Sequence, residues 1–344
     1  MSFTLAVDGM GGDLGPRVTF QATWQILAER RDLSIQFYIS STEKSWLDAE
    51  LLKLSSSTPL STNIKSRFHI HYCEQSVEMS DKPSHALRRK QKSTMALALK
   101  SIANNEAQAC VSCGNTGALL ALSRYTLSTF IDVDRPAMAR DIPTAGKPLL
   151  MLDLGANIDV GAEGLYQFAI LSAAWRKAQG IKTPKLGLLN IGKEASKGTE
   201  EIRLAGQMIS ELEGIDYVGF VEADELYLGD LDIVVCDGFH GNIALKTSEG
   251  LLLHVSHQFD LMLKSSFAGR VLAFFTNPII ERFKRQLNPV MHSGALLLGI
   301  DGLVVKSHGN SNQEAFYQSI CYALAEVESG STERVVAEMD KLSV

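Results

Sequence analysis

The sequence predicts an α/β protein whose mostly parallel sheet is covered by helices on both faces. Short apolar runs rich in Val, Ile, Leu and aromatic residues recur along the chain, and most end in glycine, asparagine or an acid. A longer stretch of helical spacing follows most of them, and this alternation is typical of a parallel sheet. The runs are FTLAVD, IQFYIS, FHIHYC, AQACVSC, PLLMLDL, KLGLLNI, DYVGFV and DIVVCD.

The composition is that of a globular protein, because 45% of the 344 residues are apolar and 21% are charged. No clear linker or repeat divides the sequence, so we expect a single domain over 1–344. The formal net charge of −6 disfavours a nucleic-acid partner, which needs a basic field. The start MSFTLAVDG lacks the features of a signal peptide and no run of eighteen apolar residues occurs, so we expect a cytoplasmic protein.

The five cysteines indicate neither a disulfide framework nor a metal site. Cys110 and Cys113 form a CxxC motif, but a zinc site would need a second pair. The surrounding AQACVSCGN is typical of a strand that ends in a glycine turn, whereas a redox pair usually opens a helix. We therefore expect reduced thiols that pack as small apolar residues.

Ligands of parallel α/β sheets bind where the strands end, so the segments after the strands form the candidate site. Six of these are rich in Gly, Asn, Ser and acids: DGMGGD (8–13), SCGNTGA (112–118), DLGANID (153–159), NIGKEASKGTE (190–200), DGFHGN (237–242) and SHGNSN (307–312). We expect them to line one polar site along one edge of the sheet, the alternative being six ordinary turns. A nucleotide cofactor is not indicated, because GxxxxGK[ST] is absent and GxGxxG from Gly9 fails at Leu14.

Three features of these segments suit an anionic substrate. Asn115 and Thr116 begin an apolar helix whose free N–H groups and dipole favour an anion, although N-capping alone is the alternative. Lys193 and Lys197 follow a strand and could neutralise a phosphate or an oxyanion. His240 could act as a general base. Neither GxSxG nor HExxH occurs, so we expect a substrate to supply the nucleophile.

Seven segments, taken together and in order, resemble the PlsX-type phosphate acyltransferases of bacterial phospholipid synthesis. They are AVDGMGGDLGP, MSDKPSHALRRKQKSTMALAL, CGNTGALL, RPAMA, LDLGANID, LLNIGKEASKGTE and VVCDGFHGNIALKTSEG. The resemblance extends from residue 6 to about 310 and covers nearly the whole chain. It implies a three-layer α/β/α sandwich similar to isocitrate dehydrogenase and phosphotransacetylase, and we expect neither a cofactor nor a metal.

The resemblance also implies a reaction. Inorganic phosphate attacks the thioester of a fatty acyl chain on acyl carrier protein, and acyl phosphate and the free carrier thiol result. The acyl phosphate then feeds glycerol-3-phosphate acylation by a downstream acyltransferase. Because the leaving thiol has a pKa of roughly 8–9, it departs with little acid assistance, and positioning and charge stabilisation remain the main tasks. Family members are cytoplasmic homodimers that associate peripherally with the inner face of the membrane.

By the same resemblance, Lys197 and Asn242 occupy the positions associated with catalysis. Lys197 would neutralise the phosphate and the developing oxyanion, and Asn242 would donate a hydrogen bond in the same site. The helix start at 115–117 would cradle the phosphate. The full set of expected substrate-binding residues is Asp8, Gly11, Gly12, Asp13, Asn115, Thr116, Gly117, Asn157, Lys193, His240 and Gly241. Departures from the family pattern at MHSGALLLG and HGNSN leave the region 290–312 without an assigned role.

The stretch KSSFAGRVLAFFTNPIIERFKRQL, 264–287, is basic and amphipathic in an otherwise acidic chain. We expect a protruding helical segment at about 255–290 that contacts a membrane surface or acyl carrier protein, the alternative being core-packed or dimer-contact helices. The RRKQK stretch at 88–92 is a second candidate patch for docking the carrier, or a solvated helix face. The expected contact residues are Phe267, Arg270, Phe274, Phe275, Arg282, Lys284, Arg285, Arg88 and Arg89.

Two other functions remain open at this stage. A phosphotransacetylase-like enzyme would share the fold and the phosphate chemistry but use acyl-coenzyme A. A non-catalytic scaffold at a lipid surface would tolerate loss of Lys197, and the presence of Lys197 and Asn242 disfavours it.

The amphipathic segment generates a direct prediction. Changing Phe274→Asp together with Phe275→Asp should abolish binding to anionic liposomes, because charge on the apolar face opposes insertion into the interface. Soluble acyltransferase activity should be retained. Liposome flotation combined with a soluble assay measures both, and a double variant that still floats would exclude the segment as the anchor.

Overall fold

The computed structural model describes residues 2–57, 60–130, 133–265, 276, 282 and 288–342. Eleven strands form one sheet in the order β3-β2-β1-β4-β11-β10-β5-β6-β9-β7-β8. The strands are β1 (Phe3–Asp8), β2 (Leu33–Ser40), β3 (Phe68–Cys73), β4 (Ala109–Ser112), β5 (Ala137–Ile142), β6 (Leu149–Leu152), β7 (Lys185–Leu189), β8 (Asp216–Val221), β9 (Ile233–Val235), β10 (Ala295–Leu298) and β11 (Leu303–Lys306).

Helices connect most of the strands. They are α1 (Pro16–Glu29), α2 (Lys44–Ser57), α3 (Leu60–Lys65), α4 (Pro83–Arg89), α5 (Thr94–Ala103), α6 (Thr116–Leu127), α7 (Ala162–Ala178), α8 (Glu200–Ser210), α9 (Gly238–Lys264), α10 (Gln313–Ser329) and α11 (Ser331–Leu342). Short 3-10 helices lie at Ser41–Glu43, Ala223–Tyr227 and Pro289–His292.

The sheet is buried between two helical layers. Along β1, Leu5 and Val7 pack on one face and Ala6 packs on the other, as the alternation of a strand requires. The first face carries α1, α7, α8, α10 and α11, and the second carries α4, α5, α6 and the start of α9. The predicted fold class, an α/β sandwich with a mostly parallel sheet, is confirmed.

The sheet consists of two parallel halves that run in opposite directions. Strands β1 to β4 and β11 are parallel in one half, and β6 to β9 are parallel in the other. Between them, β10 and β5 pair antiparallel with each other and with their outer neighbours. The carboxyl ends of the two halves therefore leave opposite edges of the sheet. The expectation that all six glycine-rich segments leave one edge is wrong, because it assumed a single strand direction. Four of them, those after β4, β6, β9 and β11, nevertheless contribute residues to one cavity.

The two central strands and β11 do not belong to the apolar runs recognised in the sequence. The stretch around β10 and β11 forms an antiparallel hairpin in which Leu296 pairs with Val305. Gly299 and Gly302 in its turn have φ values of +99° and +156°, which L side chains rarely adopt. Within the described ranges, no helix is long and apolar enough to cross a membrane.

All five cysteines are free, as expected. Cys110 on β4 and Cys113 just after it are both buried, and the Cys113 thiol lies 3.0 Å from the carbonyl oxygen of Gly11. The pair therefore packs as small apolar residues.

The expected protruding segment lies mostly outside the described residues. Helix α9 reaches Lys264, and its second half exposes Leu253, Leu261 and Met262. Arg282 is described and exposed. The other expected contact residues in this segment, Phe267, Arg270, Phe274, Phe275, Lys284 and Arg285, fall outside the described residues. That 1–344 forms a single domain with a protruding segment at about 255–290 stays a prediction.

Candidate functional site

The loop after β1 packs against the loops after β4 and β11. A Cβ at Gly11 would lie 2.5 Å from the backbone nitrogen of Gly114, so this approach requires glycine. Gly12 has a φ of +85°, and a Cβ there would lie 2.9 Å from the carbonyl oxygen of Gly309. That oxygen accepts the backbone N–H of Asp13 at 2.7 Å. Gly11 and Gly12 thus allow three loops to meet in a packed junction.

Asp8 is buried at the end of β1 and supports this junction. Its Oδ2 accepts a hydrogen bond from Ser112 Oγ at 2.7 Å, and the backbone N–H of Met10 donates to Oδ1 at 3.4 Å. Burial raises the pKa of Asp8, and the hydrogen bond from Ser112 opposes that shift. The carboxyl group therefore ties the end of β1 to the end of β4.

Asn115 caps the start of α6. Its Oδ1 accepts the backbone N–H of Ala118 at 2.9 Å, and its Nδ2 donates to two backbone carbonyls of the loop before α4 at 2.7 and 3.0 Å. Gly117 allows α4 to approach, because a Cβ there would lie 2.7 Å from Pro83 Cγ. Thr116, between them, lines a small cavity. The side-chain amide of Asn115 is thus used for capping, and Thr116 faces the cavity.

The loop after β6 and the start of α9 touch backbone to backbone. A Cβ at Gly241 would lie 1.9 Å from the carbonyl oxygen of Asp153. Asn157 donates its backbone N–H and its side-chain amide to Asp153 Oδ2 at 2.6 and 3.0 Å, and its carbonyl accepts the N–H of Gly238 at 2.8 Å. Asn157 and Gly241 therefore fix where α9 begins.

Asp237 caps α9 and orients His240. Its Oδ1 accepts the backbone N–H of His240 at 2.9 Å, and its Oδ2 lies 2.6 Å from Nδ1 of the ring. An ionised carboxylate accepts hydrogen bonds, so the contact assigns the ring proton to Nδ1 and leaves Nε2 as a potential acceptor. This carboxylate–histidine pair has the arrangement of an oriented general base.

An apolar cavity of about 840 Å³ lies between the loop after β7, the 3-10 helix at Ala223–Tyr227 and one side of α9. Leu226, Ile243 and Leu251 line its apolar part. Thr199 and His240 contribute polar groups to its wall. An apolar lining with few polar groups suits an alkyl chain attached to a polar reacting group.

The two predicted loop lysines lie on the surface. Lys193 Nζ donates to Glu225 Oε1 at 2.6 Å, and this hydrogen bond raises the pKa of Lys193. Lys197 is exposed, and its carbonyl accepts the side-chain amide of Asn190 at 3.2 Å. Gly198, the next residue, has a φ of +84° and lines the apolar cavity. The loop thus presents Lys197 near that cavity, whereas Lys193 is engaged by a carboxylate.

A second cavity, of about 200 Å³, lies on another side of the start of α9. Residues from both halves of the sheet line it, among them Thr116, Arg140, Gly155, Asn242, Lys246, Lys306 and His308. We call it the cationic cavity, because it has basic but no acidic side chains among its described lining residues. The sequence analysis assigned only Thr116 and Asn242 to the site. Lys246 and His308 lie in the segments VVCDGFHGNIALKTSEG and SHGNSN but were not singled out, and Arg140 and Lys306 lie outside every segment considered, so only tertiary proximity identifies them.

Glu249 lies behind the cationic cavity and connects its basic side chains. Its two oxygens lie 3.2 Å from Arg140, 2.8 Å from Lys246 and 3.3 Å from His308 Nε2. Nδ1 of His308 lies 3.2 Å from Lys246 Nζ, so a neutral ring protonated on Nε2 satisfies both contacts. Burial alone would raise the pKa of Glu249. Hydrogen bonds from His308 and Lys246 outweigh that effect and lower the pKa to about 2.

Lys306, at the end of β11, is only 6% exposed. Its Nζ donates to the carbonyl of Ser307. Burial lowers the pKa of Lys306 to about 8, because the charged form loses its hydration. The nearby carboxyl groups of Asp13 and Asp8 oppose that shift. The ammonium group therefore predominates at neutral pH.

Two other cavities are less suited to an anion. One of about 470 Å³ shares Tyr227 and Ser248 with the apolar cavity, and shares Arg140 and Leu245 with the cationic cavity. Another of about 910 Å³ lies at the amino end of β1 and contains Glu106, Asp301, Glu326, Glu328 and Glu333. Its acidic lining disfavours a phosphate ligand.

The predicted site residues therefore divide into groups. Thr116 and Asn242 share the cationic cavity, and His240 and the loop of Lys197 border the apolar cavity. Gly11, Gly12, Gly117 and Gly241 permit close packing, and Asp8, Asp13, Asn115 and Asn157 hydrogen bond within the loops. Arg88 and Arg89 are exposed at the end of α4. The roles assigned to all these residues toward substrate stay predictions.

Comparisons of the sequence identify a protein family. Residues 3–334 match the model of a family described as fatty acid synthesis protein. A "Phosphate acyltransferase" of Shewanella halifaxensis (strain HAW-EB4) is 42% identical over 329 residues, covering 95% of this chain and 94% of that protein. A "Phosphate acyltransferase" of Pseudomonas savastanoi pv. phaseolicola is 39% identical over 338 residues, covering 98% of this chain and 97% of that protein.

Comparisons of the structure agree on the fold. A phosphotransacetylase from Streptococcus pyogenes aligns with a TM-score of 0.62 at 15% identity, covering 95% of this chain and 94% of that one. The EutD phosphotransacetylase from Staphylococcus aureus aligns with a TM-score of 0.56 at 14% identity, covering 98% of this chain and 94% of that one. At such identities the likeness establishes the fold alone.

The ion network around Glu249 generates a prediction about stability. A carboxyl pKa held at about 2 contributes stability that is present above its ordinary value of 4.5 and is lost as the pH falls toward 2. Glu249→Gln should therefore lower the free energy of unfolding by roughly 1–2 kcal/mol at pH 7, after allowance for solvent screening. The difference from the wild type should become progressively smaller below about pH 5. Urea denaturation between pH 7 and the lowest pH at which both proteins fold measures the difference.

A matched control is Glu338→Gln, which removes a surface pair with Lys341. At pH 7 that change should stay within about 0.5 kcal/mol of the wild type. If Glu249→Gln lowered the free energy of unfolding by the same amount at every pH, stabilisation by the ionised Glu249 carboxylate would be contradicted.

Proposed function

Because this chain belongs to the fatty acid synthesis protein family and is an acyltransferase of the phosphate acyltransferase type, we propose that it transfers a long-chain fatty acyl group from acyl carrier protein to inorganic phosphate. The product is an acyl phosphate. The proposed place of this reaction is bacterial phosphatidic acid synthesis, where a downstream acyltransferase uses the acyl phosphate to acylate glycerol-3-phosphate.

One observation carries the proposal: an apolar cavity and a cationic cavity lie on different sides of the same helix start. Ile243 and Ala244 face the apolar cavity, whereas Asn242 and Leu245 face the cationic cavity. A lipophilic acyl chain and an anionic nucleophile need such different surroundings, and their reacting ends must meet. The first turns of α9 border both the apolar and the cationic cavity within four consecutive residues.

The proposed step balances without an enzyme nucleophile or cofactor. A phosphate oxygen forms a bond to the thioester carbonyl carbon, the C–S bond breaks, and the electron pair leaves on the carrier sulfur. The released thiolate needs little protonation to depart, because thiol pKa values are about 8.5. Lys197 neutralises charge that develops on the carbonyl oxygen, and Asn242 donates a hydrogen bond beside the phosphate. His240, oriented by Asp237, lines the apolar cavity, so it is available as a base only toward a group that reaches that side of the helix start.

The proposed contacts with larger partners lie away from these cavities. Arg88 and Arg89 offer an exposed basic patch to an acidic carrier protein. The apolar side chains exposed on the second half of α9 suit a homodimer contact or a membrane interface continued by the amphipathic segment. This arrangement would keep the protein cytoplasmic and peripherally bound to the membrane that receives its lipophilic product.

The alternative enzyme, a phosphotransacetylase-like protein that uses acyl-coenzyme A, agrees equally well with the fold. The size of the apolar cavity favours a longer chain than acetyl. The choice between the two carriers rests on the family relationship and needs a direct assay.

The defining experiment offers the purified protein palmitoyl-acyl carrier protein with inorganic phosphate and traps acyl phosphate with hydroxylamine. We expect phosphate-dependent hydroxamate together with an equal amount of free carrier thiol. A parallel reaction with palmitoyl-coenzyme A tests the alternative donor. Folded protein that forms no product from either donor would contradict the proposal and favour a scaffold role.

The role of Lys197 generates a separate prediction. Lys197→Ala should lower turnover by roughly 2–4 kcal/mol of transition-state stabilisation, about 30- to 900-fold, because one cationic group at the oxyanion is lost. Lys182→Ala is the matched control, since Lys182 is also an exposed lysine but precedes β7 at its amino end. Steady-state kinetics with saturating donor measures both, and equal rates for the two variants would remove Lys197 from the mechanism.

A further inference from the structure

We propose that the nucleophilic phosphate binds in the cationic cavity and is held by Arg140, Lys246 and Lys306. This inference rests on the proposed function for the identity of the anion, and it moves the phosphate away from the side chain of Asn115. Thr116 remains a wall of the cavity, so the start of α6 still faces the ligand.

The charge of the cavity lining suits a small anion. Arg140, Lys246 and Lys306 contribute three positive charges, and Glu249 behind them contributes one negative charge. Glu249 does not line the cavity, so the described lining itself carries an excess of positive charge that suits an anion. Asp8 and Asp13 act on Lys306 from the side of β1, but neither lines the cavity within the part of the chain that the structure describes.

Two of the basic groups are buried with donors still available. The Nε–H of Arg140 is buried and has no hydrogen-bond partner among the described residues. Lys306 Nζ has three N–H donors, of which one is given to the carbonyl of Ser307. Burying such donors without acceptors costs free energy. Lys306 Nζ can donate charge-assisted hydrogen bonds to phosphate oxygens, whereas the Nε–H of Arg140 is inaccessible and can reach an anion only after the guanidinium group shifts.

The size of the cavity also selects for a small ligand. Its volume of about 200 Å³ lies below the range of about 300–1,000 Å³ typical of sites for larger molecules. A tetrahedral anion fits this space, whereas an acyl chain is better accommodated in the neighbouring 840 Å³ cavity. Asn242 lines the smaller cavity next to Ile243, which lines the larger one. Phosphate in this place would therefore lie beside the thioester.

The experiment measures inorganic phosphate binding to the full chain by isothermal titration calorimetry. Lys306→Met and Lys246→Met each remove one charge while keeping an unbranched side chain of similar length. Each should weaken phosphate binding about 10- to 100-fold, the range expected for one charge-assisted hydrogen bond. Lys306→Arg, which keeps the charge, should recover part of the affinity, and Lys182→Met should bind as the wild type does.

Kinetics provide a readout that a general packing defect would not reproduce. The KM for phosphate should rise in the methionine variants by about the factor seen in calorimetry, with the KM for the acyl donor unchanged. If Lys306→Met fails to fold, Lys246→Met decides, because Lys246 is half exposed and Glu249 keeps its contacts with Arg140 and His308 when Lys246 is lost.

The possible outcomes separate this inference from the proposed function. Phosphate binding that depends on Lys306 and Lys246, in a protein without acyl transfer, would keep the subsite and overturn the proposed function. Phosphate-dependent acyl transfer with unchanged phosphate affinity and KM in both folded methionine variants would overturn the subsite and keep the function.

Discussion

The antiparallel pairing of β5 with β10 at the centre of the sheet is the constraint on which the site depends. It joins two parallel halves that run in opposite directions, and its register sets how they meet. Leu296 pairs with Ala139, Ala295 pairs with Lys306, and Arg140 pairs with Met151. Through this register the end of β11 comes near the middle of β5. The cationic cavity lies at this junction and draws residues from both halves.

Close backbone packing then fixes the elements around that junction. Gly241 brings the start of α9 against the carbonyl of Asp153, and Gly11 brings the loop after β1 against the loop after β4. A side chain at either position would overlap backbone atoms that cannot move independently. These glycines therefore allow the loops to pack closely against each other. A few neighbouring side chains, such as Asn242 and Thr116, face the cavities.

The charges at the junction are costly for folding. Arg140 is 5% exposed and Lys306 is 6% exposed, and burial lowers the pKa of both groups. One carboxylate, Glu249, offsets part of this cost for Arg140. Buried ion pairs rarely add net stability relative to apolar packing of the same shape. Asp8 and Asp13 act on Lys306 only from the side of β1, and no carboxylate lines the cavity among the described residues, so the retention of two buried cations there is easier to explain by the binding of an anion than by the stability of the fold.

The sequence by itself determined the fold class, because short apolar runs that alternate with stretches of helical spacing are local features of the chain. It also placed Asn242, His240 and Thr116 just after strands, and Asn242 and Thr116 line the cationic cavity while His240 lines the apolar one. The reversal of strand direction was decided only in the tertiary structure, since pairing between distant segments leaves no local pattern. Arg140 and Lys306 lie on strands that the pattern of apolar runs missed. Their burial side by side follows from sheet register, so only the folded chain could bring these two cations into one cavity.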